Sequence, residues 1–220
     1  MISTDTNFEG AKKFSSYGLK QKQKNKRESA SGGGSSIEST EVSRDYITRM
    51  VIKYKISSIL DLGCGDWNWM SKIRNEFENS SYEGWDANED MIFNLNNIYG
   101  NHNTKFYFKD IVTGEYPKVD MVLCRDVLFH LKEKYTLKII EKIKKSKIKY
   151  FLTTSFNDVK GKQVKFRDRP SMGNWGFYEI NLNLPPFNLE KYLIDSICEH
   201  TIKPNSGYKR YLNLYRICED

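Results

Sequence analysis

The sequence predicts an α/β fold: a seven-stranded, mostly parallel sheet closed by a C-terminal antiparallel hairpin, with helices on both faces. Three observations carry that expectation. From Ser57 onward, short apolar runs alternate with longer amphipathic stretches, the pattern of strands and crossover helices. A tight Gly-x-Gly turn, Gly63-Cys64-Gly65, sits between an apolar strand and an apolar-patterned segment. Near the carboxyl terminus, Ile194 to His200 and Tyr211 to Cys218 read as two further strands that close the sheet.

In chain order, residues 1–36 are polar, with a basic run from Lys20 to Arg27 and then Ser29 to Ser36, which holds Gly32, Gly33 and Gly34 in succession. They are expected to form an arm or lid outside the core, with residues 37–220 as a single domain. Ser35 and Glu38 have the spacing of a capping box, so a helix is expected from there to about Lys55, burying Val42, Ile47, Val51 and Ile52. Strands follow at Ser58 to Leu62, Tyr82 to Asp86, Lys105 to Lys109, Met121 to Arg125 and Lys149 to Ser155. The lysine-dense stretch Lys138 to Lys149 is interleaved with Ile139, Ile140, Ile143 and Ile148 at helical spacing, which reads as a solvated helix face. Phe156 to Leu189 lacks clear periodicity and is read as an elaborated loop region, in which Leu184-Pro185-Pro186-Phe187 is a rigid turn packing Phe187.

Composition sets the outer bounds. A chain of 220 residues and 25.8 kDa can bury one substantial core. Its 39% hydrophobic and 14% aromatic content supports folding despite 29% charged residues. No run approaches the roughly 18 apolar residues of a membrane span. Met1 to Gly10 has no signal-peptide pattern, so a cytoplasmic location is expected. The four cysteines form no Cys-x-x-Cys pair and read as reduced, mostly buried thiols. The histidines His102, His130 and His200 form no metal cluster, and no metal is expected. A net charge of +7 admits an anionic partner such as RNA, but the lysines are scattered, which weakens that reading.

The chemistry gathers at strand ends. Asp61 stands two residues before the first glycine of the Gly-x-Gly turn, Asp86 ends the second strand, and Asp110 follows the third. A carboxylate at such an edge accepts both hydroxyls of a ribose, although any one of these acids alone reads as a helix cap. A dinucleotide site calls for Gly-x-Gly-x-x-Gly so that a pyrophosphate rests on the helix, whereas Asn68 and Trp69 fill that neighbourhood here. Asp61 would repel a pyrophosphate and attract a cationic aminoacyl nucleoside.

On these residues the sequence resembles the class I S-adenosylmethionine-dependent methyltransferases, with Asp61 to Gly65 as first motif, Asp86 as second and Asp110 as third. It is most similar to an uncharacterised, mostly bacterial subgroup in three places. These are the run from Asp61 to Met70, the run from Leu123 to Leu131, and Leu182-Asn183-Leu184-Pro185-Pro186-Phe187-Asn188. The resemblance implies a Rossmann-like methyltransferase fold and S-adenosyl-L-methionine as cofactor. It places Gly63 and Gly65 under the cofactor, Asp61 near its amino group, Asp86 on its ribose, Asp110 and Ile111 at its adenine, and Arg125 beside its methionine moiety. It does not imply the acceptor.

Methyl transfer is an in-line displacement, and a hydroxyl acceptor calls for a base. His130 is the base candidate because its ordinary pKa lies near neutrality. Asp126 either orients His130 or caps the following helix. Arg125 alternatively binds a substrate phosphate. Arg167, Arg169, Asn174, Trp175 and Tyr178 combine planar cations with aromatic faces, as a sugar or nucleotide pocket does. No Asn-Pro-Pro-Tyr or Asp-Pro-Pro-Tyr follows strand four, which marks down exocyclic DNA amines. The expected function is O-methylation of a small-molecule or carbohydrate acceptor, with a surface-glycan precursor suggested by the family's company. The alternatives are an RNA methyltransferase using the basic arm and a non-catalytic S-adenosylmethionine-binding module.

Overall fold

The chain is described by a computed structural model over residues 6–161, 176–199 and 209–218. Seven strands form one sheet in the order β3-β2-β1-β4-β5-β7-β6. They are β1 Ser58–Leu62, β2 Ser81–Asp86, β3 Thr104–Phe108, β4 Met121–Cys124, β5 Tyr150–Ser155, β6 Leu193–Cys198 and β7 Tyr211–Arg216. The pairs β1–β2, β2–β3, β1–β4 and β4–β5 are parallel, while β7 is antiparallel to both β5 and β6. The expected Rossmann-like sheet and its closing hairpin are therefore present. β4 and β5 are buried at every position and β1 at all but its first, the mark of parallel strands covered on both faces. Edge strand β6 alternates between half-buried and exposed over its first four residues.

Four helices, α1 Thr6–Asn25, α2 Glu41–Lys53, α3 Glu89–Tyr99 and α4 Glu133–Lys145, complete the described fold. One core layer packs α2 and α3 residues such as Ile47, Met50, Ile92 and Leu95 on Ile59, Tyr82 and Leu123 of the sheet. The opposite layer packs Ile139, Ile140 and Ile143 of α4 on Leu60, Leu62, Val122 and Phe151. As expected of a solvated helix face, most of the α4 lysines point outward. Lys142 turns inward to donate to the carbonyls of Ile111, Val112 and Gly114 over the Tyr116 ring, and burial pushes its pKa down to about 8.

Several local expectations are corrected. The capping box at Ser35 and Glu38 does not form. Ser36 Oγ instead accepts from the Ser39 backbone N–H at 3.1 Å, short 3-10 turns occupy Gly33–Ser35 and Glu38–Thr40, and α2 begins only at Glu41. The buried stripe of α2 is Ser43, Tyr46, Ile47, Met50 and Val51, one step round from the expected face, so Ile52 is 60% exposed. The arm contains a 20-residue helix, α1, and its later residues Ser29, Ala30 and Ser35 are buried against the domain rather than lying outside it. Within the expected loop region, Phe187 is packed as foreseen, and Ile180, Leu182 and Leu189 join it in the core.

Candidate active site

The chain runs from β1 out to β3 and then returns to β4 on the other side of β1, which opens a crevice at the carboxyl ends of the strands. The cleft measures about 1010 Å³, counting the part open to solvent, and is lined by all seven residues expected to hold a cofactor: Asp61, Gly63, Gly65, Asp86, Asp110, Ile111 and Arg125. The turn between β1 and the next segment needs its glycines. Gly63 and Gly65 have φ of 82° and 58°, and a Cβ on them would come within 2.5 Å of Val127 Cγ2 and 2.1 Å of Ser31 Oγ. The elbow is thus kept bare both for the cleft and for close approach of the arm and the β4 loop.

Each acid has a distinct setting. Asp86 Oδ2 accepts from the Gly65 N–H at 3.1 Å and Oδ1 from the Asn88 N–H at 3.1 Å, which holds the carboxylate at the lining of the cleft. Burial pushes its pKa up to about 6 against the pull of those N–H groups. Asp61, 3% exposed, accepts from the Tyr82 hydroxyl at 2.5 Å, and burial pushes its pKa up to about 7. Asp110 behaves as a turn cap: Oδ1 accepts from the Val112 N–H and Oδ2 from the Thr113 hydroxyl, both at 2.8 Å, while the residue still borders the cleft.

The arm meets the elbow through residues that sequence reasoning passed over. Asp66 accepts from Ser29 Oγ at 2.8 Å, the Ala30 N–H at 2.7 Å and Lys22 Nζ at 3.2 Å, and its own N–H donates to Ser31 Oγ at 3.0 Å. Asn68 Nδ2 donates to Glu28 Oε1 at 2.8 Å and to the Ser35 carbonyl at 3.0 Å. The side chains that stand where a dinucleotide fold has its third glycine therefore dock the arm. Trp67 packs inward against Tyr82, Tyr99 and Phe106.

Beyond β4, Arg125 is buried and ion-paired with Glu199, Nε to Oε1 at 2.7 Å, and Asp126 pairs with Arg210 at 2.9 Å. Asp126 does not cap a helix: Val127 precedes the short turn Leu128–His130, and the Asp126 backbone N–H and carboxylate are both bound to Thr154 Oγ1. Burial alone would raise its pKa, but the Arg125 and Arg210 charges hold it below the usual carboxylate range. His130 packs on Phe129 and its Nδ1 lies 3.0 Å from the Gly176 carbonyl. Tyr178 is 2% exposed in the core layer under α4 rather than on the cleft. Arg167, Arg169, Asn174 and Trp175 lie outside the described residues.

With this geometry in hand, comparison with known proteins is informative. Residues 59–146, from β1 through α4, match the family described as a methyltransferase domain. The fold of the chain is that of S-adenosylmethionine-dependent methyltransferases, as three solved structures illustrate. A 1,6-didemethyltoxoflavin N1-methyltransferase from Burkholderia thailandensis aligns with a TM-score of 0.68 at 13% identity, over 100% of this chain and 93% of its own. The magnesium protoporphyrin IX methyltransferase of Synechocystis aligns with a TM-score of 0.66 at 15% identity, over 98% and 99%. The N-methyltransferase NodS from Bradyrhizobium japonicum gives 0.60 at 11% identity, over 83% and 89%. No curated protein sequence gives a significant match. The matched stretch holds the elbow and all three acids, but neither the arm nor Glu199 and Arg210. No helix among the described residues is long and apolar enough to cross a membrane.

Proposed function

We propose that this chain transfers a methyl group from S-adenosylmethionine to a hydroxyl of a small molecule or carbohydrate, the surface-glycan precursor class being suggested by the family's company alone. The observation that carries the cofactor reading is the convergence, in one cleft, of the glycine elbow with Asp61, Asp86 and Asp110 from three successive strand ends. Bound there, S-adenosylmethionine supplies a methyl carbon made electrophilic by its sulfonium. Asp86 accepts the ribose hydroxyls, Asp61 faces the amino group, and the Ile111 side chain with the Asp110 turn borders the base. The low polarity around these acids strengthens each contact.

His130 supports the hydroxyl acceptor. A carbonyl only accepts, so the Gly176 oxygen 3.0 Å from Nδ1 favours the Nδ1–H tautomer, in which Nε2 is the proton-accepting ring atom; the histidine stands beside the cleft-lining residues Asp126, Val127 and Leu131 rather than on the cleft itself. Asp126, four residues earlier and held ionised by its arginines, lowers the cost of the imidazolium that forms.

The test is methyl-labelled S-adenosylmethionine incubated with the protein and a cell extract separated into small-molecule, RNA and protein fractions. Base-stable label in the small-molecule fraction is expected. Label in RNA overturns the acceptor reading, and tight S-adenosylhomocysteine binding with no label anywhere marks a binding module. His130→Gln is expected to slow turnover about 100-fold or more with unchanged S-adenosylhomocysteine affinity. Undiminished turnover would remove the histidine from proton transfer.

A further inference from the structure

Lysines occur along the whole chain, but their excess over acids does not. Residues 11–27 hold seven lysines and arginines and no acid, equal to the formal charge of +7 on all 220 residues, so the rest of the chain is balanced. That stretch is most of α1 with the two residues after it; the single acid of α1, Glu9, precedes it. A segment that gathers the whole surplus of a protein creates a local field that the net charge understates.

The helix has two opposite faces. Ala11, Gly18 and Lys22, spaced by seven and then four residues, share one side of it and are half-buried. Ala11 lines the cleft, a Cβ on Gly18 would come within 2.1 Å of the Ala30 carbonyl oxygen, and Lys22 pairs with Asp66. Lys13, Lys20 and Lys24 repeat that spacing two residues later, about 200° round the helix, and all three are exposed. Lys26 and Arg27 continue the exposed charge past the helix end, where the Arg27 N–H donates to the Lys22 carbonyl at 3.2 Å. None of these five cations has an ion pair among the described residues. Lys24 lies in the last turn, where a cation suits the helix dipole, but Lys13 and Lys20 have no such local reason.

We propose that the outer face of α1 is a docking surface for an anionic lipid bilayer, which holds the protein reversibly at a membrane surface. Lys13 to Lys24 span about 16 Å along a convex rod, so their ammonium groups meet a flat layer of headgroups together, whereas a polynucleotide strand calls for a groove that tracks it. Lysine is a hydrated point charge that attracts phosphates without fixing their geometry. The bidentate fork that recognises a single phosphate is arginine's, and of the five exposed cations Arg27 alone supplies it. No helix among the described residues is long and apolar enough to cross a membrane, and attraction by lysines gives salt-sensitive, reversible binding. Because Ala11 lines the cleft from the other side of the same helix, the cleft wall lies one helix diameter, roughly 10 Å, from the headgroups. Docking of this face is independent of which acceptor the cleft takes.

Co-sedimentation of the full chain with vesicles tests this, using phosphatidylcholine alone and phosphatidylcholine with phosphatidylglycerol in a ratio of roughly 3:1. The unaltered protein is expected to bind the anionic vesicles at least about 10-fold more tightly than the neutral ones, and to leave them at about 1 M salt. Equal partitioning, or binding to neither, overturns the proposal without any variant having to fold. Each lysine near an anionic surface is worth about fivefold in partitioning, so Lys13→Gln, Lys20→Gln and Lys24→Gln together are expected to weaken binding roughly 100-fold. Glutamine matches lysine in helix propensity, so α1 itself is preserved. Removing the same charge from α4, by Lys134→Gln, Lys138→Gln and Lys144→Gln together, is expected to change binding by less than about fivefold. Equal loss in the two triple variants would trace the attraction to net charge and overturn the assignment to α1. Retention of polyuridylate RNA at the same ionic strength, with no binding to vesicles, would give the face to nucleic acid and overturn the bilayer.

Discussion

The two halves of the cleft are built in opposite ways. On the side of β1, β2 and β3, the functional acids are set by partners no more than 21 residues away: Asp61 by the Tyr82 hydroxyl, Asp86 by the Gly65 and Asn88 N–H groups, Asp110 by the Val112 N–H and the Thr113 hydroxyl. On the side of β4, β6 and β7, Arg125 and Asp126 are set by Glu199 and Arg210, which come from the far end of the chain, 74 residues beyond Arg125 and 84 beyond Asp126. These neutral donors hold each carboxylate at the cleft without cancelling its charge. A buried ion quartet joins distant segments and fixes a cation, so its members serve stability first and binding second.

That contrast can be broken by experiment. Glu199→Ala removes the shorter of Arg125's two ion pairs, leaving Asp126 at 3.2 Å, and is expected to destabilise the fold by about 3 kcal/mol in chemical denaturation; a loss under about 1 kcal/mol would show that the quartet does not anchor its half. Asp86→Ala should leave stability within about 1 kcal/mol while weakening S-adenosylhomocysteine roughly 100-fold by calorimetry, because the ribose loses a charged acceptor. The pH dependence sharpens the first half further. Asp61 and Asp86 are raised to about 7 and about 6, above the ordinary carboxylate value of 3.8, so both resist ionising in the empty protein. Their burial therefore lowers stability as pH rises through 4 to 7, while affinity for a ligand bearing an ammonium group rises over pH 5 to 7 and levels off above about 8. Each acid contributes up to about tenfold per pH unit below its own value. Asp61→Asn is expected to remove the part of that slope nearest neutrality, and a slope unchanged by the substitution would take Asp61 out of the ammonium contact. The smallest effect belongs to Lys22→Ala. Its side chain is 41% exposed where it meets Asp66, so the loss should stay within about 0.5 kcal/mol, the arm being held by the Ser29 and Ala30 contacts to the same carboxylate.

The same contrast explains what was legible in the sequence. The strands and the three acids were readable because unbroken apolar runs mark central parallel strands and the acids directly follow them. Arg125 was readable as a cleft residue by its place after β4, but its partners were not, since nothing within a few residues of Glu199 or Arg210 marks them as ionic. Asp66 carried a faint signal, an acid directly after the elbow, yet a carboxylate there had no local purpose until the arm was seen to dock. The α2 start was misplaced because Ser36 and Thr40 bond to nearby backbone, which competes with the first helical turn. α1 went unread because it is mostly polar, without the apolar stripe that marks a helix in sequence. Tyr178 read as a pocket aromatic because a buried core tyrosine and a ligand-stacking one look alike in sequence.

Trp69 lines the cleft and lies against the guanidinium of Arg125, whereas Trp85 is fully buried in the opposite core layer and Trp67 is sealed among aromatic rings. An indole so placed experiences any change in the charge beside it as a shift in its excited state. The protein thus carries its own optical reporter of occupancy, readable from emission at equilibrium and in stopped flow without a dye.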